Sequence, residues 1–199
     1  MPEVQLSPRR IREHFRRRWF VYLAGIVLLC FLNNLVFTVT RPRVPERALL
    51  HVMLVNIDAP DSQLEALEQT LLSAAQTAEP DVRAVELEPL TYLGENDAGS
   101  TILLATKFAA GGADLFISDE AGYEAMAARG FCAALDESGL PGAELLYDPE
   151  TGDICAVRLD AGDVFADAGG EICILVSAGA DNPAAAEAAL QALTTQASE

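Results

Sequence analysis

The chain has 199 residues and a formal net charge of −17, from 30 carboxylates against 13 lysines and arginines. Nine arginines lie within residues 1–47, whereas residues 48–199 carry four basic side chains against 27 carboxylates. Because phosphate binding needs clustered Lys and Arg, so acidic a chain is not expected to bind nucleic acid. Residues 48–199 suffice for one domain with a sizeable core.

The N-terminal region combines a basic segment with an apolar one. Residues 1–18 contain six arginines, and residues 19–39 contain no charged residue. At about 1.5 Å per residue, residues 19–39 extend roughly 31 Å as a helix, the thickness of a bilayer core. Six arginines precede this segment and three follow it, which favours a cytoplasmic N-terminus. The sequence therefore predicts a single-pass membrane protein: a basic cytoplasmic tail over 1–18, a lipid-embedded transmembrane helix over 19–39, and an extracytoplasmic C-terminal domain.

A cleaved signal peptide is the alternative interpretation of this segment. Signal peptides have a shorter apolar run and small residues at the cleavage site. Here the run is long and residues 37–41 read FTVTR, so an uncleaved anchor is expected. Asn33 and Asn34 could pair two helices across a membrane interface, or they could lie at the outer headgroup level.

Helix and strand patterns alternate after the anchor. Residues 40–49 contain two prolines and three arginines, which is typical of an extended stalk. In the domain over 50–199, apolar runs predict strands and helical spacing of apolar residues predicts helices. The predicted strands are 50–57, 82–87, 114–118, 154–159 and 171–177, and the predicted helices begin near Asp61, Ser100, Asp119 and Asn182. Residues 136–153 are predicted to be mostly loop. This order predicts an α/β layered domain with a mainly parallel sheet.

Four segments of the domain resemble a known family when taken in order. They are LHVMLVNIDA at 50–59, KFAAGGADLFISDEAGYEAMAARGF at 107–131, YDPETGDICAVRLDAG at 147–162 and ICILVSAGADNPAAAEAALQAL at 172–193. Together they resemble the extracytoplasmic solute-binding proteins of ABC transporters. The resemblance implies a three-layer, periplasmic-binding-protein-like lobe, in which the third segment leaves the lobe and the fourth returns to it.

The chain departs from that family between the outgoing and returning strands. The family has a whole second lobe at that point, whereas this chain has only residues 160–170. The resemblance therefore implies a single first lobe, held at the membrane by a helix. Because the family binds solute between two lobes, this departure makes ligand binding and the usual transport role doubtful.

Polar side chains collect in the loops after the predicted strands, where ligands meet α/β sheets. These candidate ligand-binding residues are Asp58, Asp61, Asn96, Asp97, Ser118, Asp119, Glu120 and Ser177. The first interpretation makes them helix caps and partners of helix dipoles. The second makes them a weak site for a cation or a polyol.

Catalytic chemistry has little support in the sequence. The two histidines, His14 and His51, form no recognisable set with a nucleophile, and no cofactor or metal site is expected. Three cysteines follow the anchor: Cys132, Cys155 and Cys173. The resemblance brings the strands of Cys155 and Cys173 close, which suggests a disulfide; three buried free thiols are the alternative.

The sequence thus predicts a non-catalytic, membrane-anchored extracytoplasmic domain with an accessory or protein-interaction role at the cell envelope. Its partner is expected to be another protein. The alternative function is a reduced solute receptor that serves an ABC-type permease or a sensor. A lone lobe leaves one face open and cannot surround a ligand as pockets usually do, which favours the first function.

Overall fold

The computed structural model describes residues 8–40, 45–140, 143–148, 150–165 and 169–198. The chain divides into two compact units, Met1–Arg43 and Val44–Glu199. Residues 1–7 of the predicted tail and residues 41–44 of the predicted stalk lie outside the described residues.

The first unit contains one long helix, α1 (Pro8–Thr40). It continues without a break through the segment predicted as a transmembrane helix. Its described large apolar side chains are exposed, including Phe20 at 67% and Leu29 at 71%. Among the described residues, no helix combines the length and the apolar character that crossing a membrane requires.

The end of the predicted stalk belongs to the folded domain and is not an extended linker. A 3₁₀ turn occupies Glu46–Ala48, and the first strand starts at Leu49. The six strands are β1 (Leu49–Val55), β2 (Ala84–Leu90), β3 (Leu115–Ser118), β4 (Glu144–Tyr147), β5 (Ile154–Asp160) and β6 (Glu171–Val176). The helices are α2 (Asp61–Ala78), α3 (Ala98–Ala109), α4 (Glu120–Ala127), α5 (Ala161–Val164) and α6 (Pro183–Ala197). A second 3₁₀ turn spans Glu137–Gly139.

The strands form one mixed sheet in the order β2-β1-β3-β6-β5-β4. β1 is parallel to both β2 and β3, whereas the β3–β6, β6–β5 and β5–β4 pairs are antiparallel. The α/β class is therefore confirmed, but the sheet is parallel only across β2-β1-β3. For β5 and β6 the reason is the length of their connection. Parallel neighbours need a crossover of about a dozen residues or more, and β5 and β6 are joined by residues 161–170 only.

Strand β4 was not expected, because residues 136–153 contain three Gly and two Pro residues, which favour loops. Its four residues pair with β5 as a hairpin across residues 148–153. A regular ladder is interrupted there. Leu146 pairs with Ala156 and Tyr147 pairs with Ile154, so Cys155 is an extra residue on β5. Such a β-bulge turns consecutive side chains toward the same face of a sheet.

Helices cover both faces of the sheet and create two apolar clusters. On one face, α2 and α6 pack their buried stripes, for example Leu71 and Leu190, against the side chains of β1 and β6. On the other face, α3 and α4 cover a second cluster that includes Met53, Phe116 and Met126. The continuous apolar run of β1 serves both clusters, since its side chains alternate between the two faces.

A buried carboxylate, Asp114, joins the amino ends of the central strands. Only 1% of its surface is exposed. Its Oδ2 accepts a hydrogen bond from the backbone N–H of His51 at 2.9 Å, and its Oδ1 accepts one from the N–H of Asn182 at 2.9 Å. The Asn182 amide also donates to the carbonyl of Leu49 at 2.8 Å. Asp114 thereby fixes β1, β3 and the start of α6 to one another.

Candidate functional site

The carboxyl ends of β1, β2, β3 and β5 lie at one edge of the sheet, because these four strands run in the same direction. We call this edge the carboxyl edge and define it as residues 56–61, 91–97, 118–120, 160–165 and 169–171. β6 begins there, since it runs in the opposite direction. Asp160 and Glu171 pair directly across β5 and β6 at this edge. Neither residue was identified from the sequence.

Asn56 organises the carboxyl edge through three side-chain hydrogen bonds. Its amide donates to the Tyr92 carbonyl at 2.9 Å and to Asp119 Oδ2 at 3.0 Å, and its Oδ1 accepts from the Tyr92 N–H at 2.7 Å. The backbone of Asn56 is left-handed, with φ at 58°. Asn tolerates this conformation better than most residues. Asn56 thereby ties together the loops that follow β1, β2 and β3.

Two of the predicted residues act as helix caps. Asp97 accepts a hydrogen bond from the N–H of Ser100 at 2.7 Å and caps α3. Asp119 accepts one from the N–H of Gly122 at 2.8 Å and caps α4. The backbone N–H and the hydroxyl of Ser100 hold the pKa of Asp97 below its usual value. For both residues, the structure agrees with the capping interpretation.

The remaining acidic and amide candidates at this edge are solvent-facing. Asp58, Asp61 and Asn96 are exposed. Asp61 was expected to cap α2, but it is the first helical residue, and Pro60 occupies the cap position without a side-chain hydrogen bond. Glu120, which is also exposed, lies 3.2 Å from an Arg158 guanidinium nitrogen.

Arg158 is the cation of this region and contacts carboxylates from three elements. Besides Glu120, it hydrogen-bonds Glu144 at 3.0 Å, and its Nε lies 3.4 Å from Glu171 without hydrogen-bond geometry. These carboxylates are more than half exposed. One guanidinium therefore faces three negative charges, and the carboxyl edge keeps a negative excess.

Two of the predicted residues do not belong to an open site. Ser118 is fully buried, and its hydroxyl lies 3.5 Å from the Cys173 carbonyl, so it faces the sheet interior. Ser177 follows β6, which runs opposite to β3, and its N–H donates to the Asp114 carbonyl at 2.9 Å. Ser177 therefore lies at the amino ends of the parallel strands. Its placement with Asp58 and Ser118 assumed a parallel β6 and was wrong.

Three large apolar side chains are exposed beside the carboxyl edge. Leu93, in the loop after β2, is 71% exposed, and Ile102 and Leu103 on α3 are 64% and 47% exposed. The backbone N–H of Leu93 donates to the Ser100 hydroxyl at 3.2 Å, which holds this loop against the first turn of α3. We call these three side chains the apolar patch. This patch was not predicted, because apolar residues at helical spacing, such as Ile102 and Leu103, usually face the core.

Two cavities lined by described residues lie away from this edge. One lies between α2 and α6 and is lined by alanines, threonines and glutamines. Another lies at the opposite end of the domain, near Arg47, Arg83 and Asn182. Within the described part of the chain, no cluster of three or more His, Cys, Asp or Glu side chains could hold a metal ion.

Cys155 and Cys173 are free thiols, and the strand register keeps them apart. Cys173 pairs with Arg158 across β5 and β6. Cys155 is three residues away from Arg158 along β5, which is roughly 10 Å in a strand. A disulfide needs Cα atoms within about 7 Å. The structure therefore does not bring this suggested pair together.

Comparison of the chain with protein-family models, with curated proteins and with solved structures finds no match.

Proposed function

We propose that the protein is a non-catalytic, membrane-anchored extracytoplasmic domain that docks another protein through its carboxyl edge. The observation that carries the proposal is the apolar patch, where Leu93, Ile102 and Leu103 are exposed next to an acidic edge. Isolated exposed leucines are common, whereas three exposed apolar side chains on two segments joined by the Leu93–Ser100 hydrogen bond favour an interaction surface. The exposed carboxylates around the patch favour a partner with basic residues surrounding an apolar contact.

We further propose that the domain corresponds to one lobe of a solute-binding protein. Support comes from the position of the outgoing strand β5 and the returning strand β6. They are adjacent, and the chain passes between them through residues 161–170 at the carboxyl edge. Removal of an inserted lobe would leave such a short connection. The edge that faces the missing lobe is then the surface that a partner protein covers.

The proposed anchor rests on residues 19–39, which carry no charge. In this region α1 is helical throughout, and its described large apolar side chains are exposed. The side chains of Val36 and of residues 38–40 lie outside the described residues. The arginine excess before the segment favours a cytoplasmic tail and an extracytoplasmic domain.

Tight binding of a small solute is not expected from this geometry. One lobe leaves polar contacts in water, where each hydrogen bond contributes only about 0.5–1.5 kcal/mol. Three or four such bonds, reduced by the several kcal/mol that association costs, give millimolar affinity at best. Calorimetry of the full chain in detergent against sugars, amino acids, peptides and divalent cations tests this expectation. A micromolar ligand whose binding is lost in Asp58→Ala would favour the alternative, a reduced receptor for a permease or sensor.

Docking is tested by placing a photo-crosslinking amino acid at Ile102 of the full chain in cells. The matched control carries the same amino acid at Gln69, which is exposed on α2 at the other face of the sheet. We expect one discrete crosslinked adduct from position 102 and none from position 69. Leu93→Glu should remove that adduct, whereas Gln69→Glu should leave it. Equal adducts from both positions, or none from position 102, would contradict docking through the patch.

Topology is tested by protease treatment of intact cells. We expect the added protease to digest the domain from outside the cell and to leave a small membrane-embedded N-terminal fragment. A mature chain that begins after residue 38 would show that the segment is a cleaved signal peptide. Complete protection of the domain would place it on the cytoplasmic side and contradict the proposed orientation.

A further inference from the structure

Asn33 is an exposed amide in the uncharged part of α1, and the proposed function leaves it without a role. We propose that α1 pairs side by side with α1 of a second copy of this chain, with Asn33 hydrogen-bonded to its counterpart. The inference rests on the proposed membrane anchor and gives that anchor a partner. The contact follows one stripe of the helix, which we call the helix seam: Tyr22, Ile26, Leu29 and Asn33.

An unpaired amide is costly at the position of Asn33. Asn33 lies six residues before Val39, about 9 Å along the helix from the outer end of the uncharged segment. Lipid acyl chains at that depth offer no hydrogen-bond donor or acceptor. Among the described residues, the Asn33 side chain forms no hydrogen bond, whereas Asn34 interacts within the chain. Asn33 is therefore the amide that needs a partner from outside the chain.

The helix seam has the spacing of helices that pack side by side. Its residues are separated by four, three and four positions, which is the 3.5-residue repeat of a left-handed helix pair. Ile26 and Leu29 are 61% and 71% exposed, so no described segment of the chain covers them. On the same repeat, Ala24 and Phe31 lie on the opposite side of the helix, and Asn34 lies outside the seam.

A second copy of the chain fits the helix seam because an amide is complementary to itself. Each Asn side chain both donates and accepts hydrogen bonds, so two of them can bond reciprocally. The arginine excess before the segment inserts every copy in the same orientation. Two such helices are parallel, and Asn33 then lies at the same depth in both. Because lipid tails are as apolar as Ile or Leu, the apolar seam residues alone give little preference, and the amide pair selects the partner and the register.

Cysteine cross-linking in native membranes locates the contact. The full chain carries Cys30→Ser and one new cysteine at a time: Ile26→Cys and Leu29→Cys on the helix seam, or Ala24→Cys and Phe31→Cys on the opposite side. After oxidation with copper phenanthroline, we expect a disulfide-linked product of twice the chain mass, several-fold more abundant from positions 26 and 29 than from positions 24 and 31. The Cys30→Ser chain without a new cysteine gives the background from the thiols of the domain.

A second measurement tests the role of the amide. The dissociation constant of the pair is measured in liposomes from energy transfer between N-terminally labelled copies, as the lipid-to-protein ratio is raised. We expect Asn33→Leu to increase it roughly 3- to 30-fold, the strength that interhelical polar bonds have in membranes. The matched control, Asn34→Leu, removes the neighbouring amide and should leave the constant near its wild-type value. Asn33→Gln keeps an amide and should weaken the pair less than Asn33→Leu.

The results that overturn the helix seam are distinct from failure of the anchor. Equal cross-linking at all four positions, a product of another mass, or a dissociation constant unchanged by Asn33→Leu would overturn the pairing. A chain that resists extraction by alkaline carbonate but gives no dimer would overturn the pairing alone. A chain that carbonate extracts from the membrane would overturn the anchor and the pairing together.

Discussion

Asn56 offers a direct test of how the carboxyl edge is held together. Its side chain makes hydrogen bonds of 2.9, 3.0 and 2.7 Å to the loops after β2 and β3, and its backbone is left-handed. Two substitutions separate these contributions. Asn56→Gly removes the three hydrogen bonds, and Gly adopts the left-handed backbone conformation without strain. Asn56→Ala removes the same bonds but, unlike Gly, keeps a Cβ atom that strains the left-handed backbone.

The expected loss of folding free energy follows from the groups to which Asn56 is hydrogen-bonded. A neutral hydrogen bond contributes about 0.5–1.5 kcal/mol and one to a charged group about 1.5–3 kcal/mol. Asn56 is solvent-exposed, so water can hydrogen-bond the groups that a substitution frees. The lower end of each energy range therefore applies. We expect Asn56→Gly to lower the free energy of unfolding by roughly 2–3 kcal/mol. Asn56→Ala should lower it by about 1–2 kcal/mol more.

Urea or thermal unfolding of residues 44–199, followed by circular dichroism, measures both variants against an exposed control, Gln69→Ala. Each kcal/mol should shift the melting temperature by about 2–4 °C in a domain of this size. Equal stabilities of the Gly and Ala variants would show that Asn56 is not left-handed in solution. Losses below about 0.5 kcal/mol for both, within the usual range for surface substitutions, would show that the three loops are not tied through this side chain.

Three further predictions concern other parts of the domain. Asp114→Ala leaves two buried N–H groups without their acceptor and should lower the free energy of unfolding by about 2–6 kcal/mol in the same assay, whereas an unchanged value would contradict its bridging role. Gly122→Ala should destabilise because its Cβ would lie 2.9 Å from a Val55 methyl carbon, whereas Gly99→Ala meets nothing closer than 3.5 Å and should not; equal effects would refute this packing. The pKa of Asp97 is lowered in the folded state, so its charge stabilises the fold at pH values above its unfolded pKa of 3.8. That contribution is lost as the pH falls through the folded pKa. The melting-temperature gap between the wild type and Asp97→Asn should therefore narrow from pH 7 toward pH 3, and a constant gap would contradict it.

Local patterns predicted most of the elements of the domain. The apolar run at 50–57 became β1, and the helices predicted to begin near Asp61 and Asn182 are α2 and α6. These features depend on neighbours along the chain, so the sequence displays them directly. The caps at Asp97 and Asp119 were visible for the same reason.

Strand direction and strand pairing could not be predicted from such local sequence patterns. The direction of β6 depends on which strands it pairs with, and Ser177 was consequently assigned to the wrong edge. Strand β4 is stabilised by pairing with β5 across a turn, although its own segment is rich in loop-forming residues. The bulge at Cys155 is a property of that pairing, so the spacing of residues along β5 alone could not show it.

The central position of β6 has a consequence for how the chain acquires its fold during synthesis. β6 lies between β3 and β5 although it is the last strand to be made, and the Asn182 amide reaches back 133 positions to the Leu49 carbonyl. Until β6 emerges, β3 is an unprotected edge that can pair with other chains. Contacts so distant in sequence also form slowly. A chain whose synthesis stops before Glu171 should therefore remain aggregation-prone, and only the complete C-terminal segment closes the sheet.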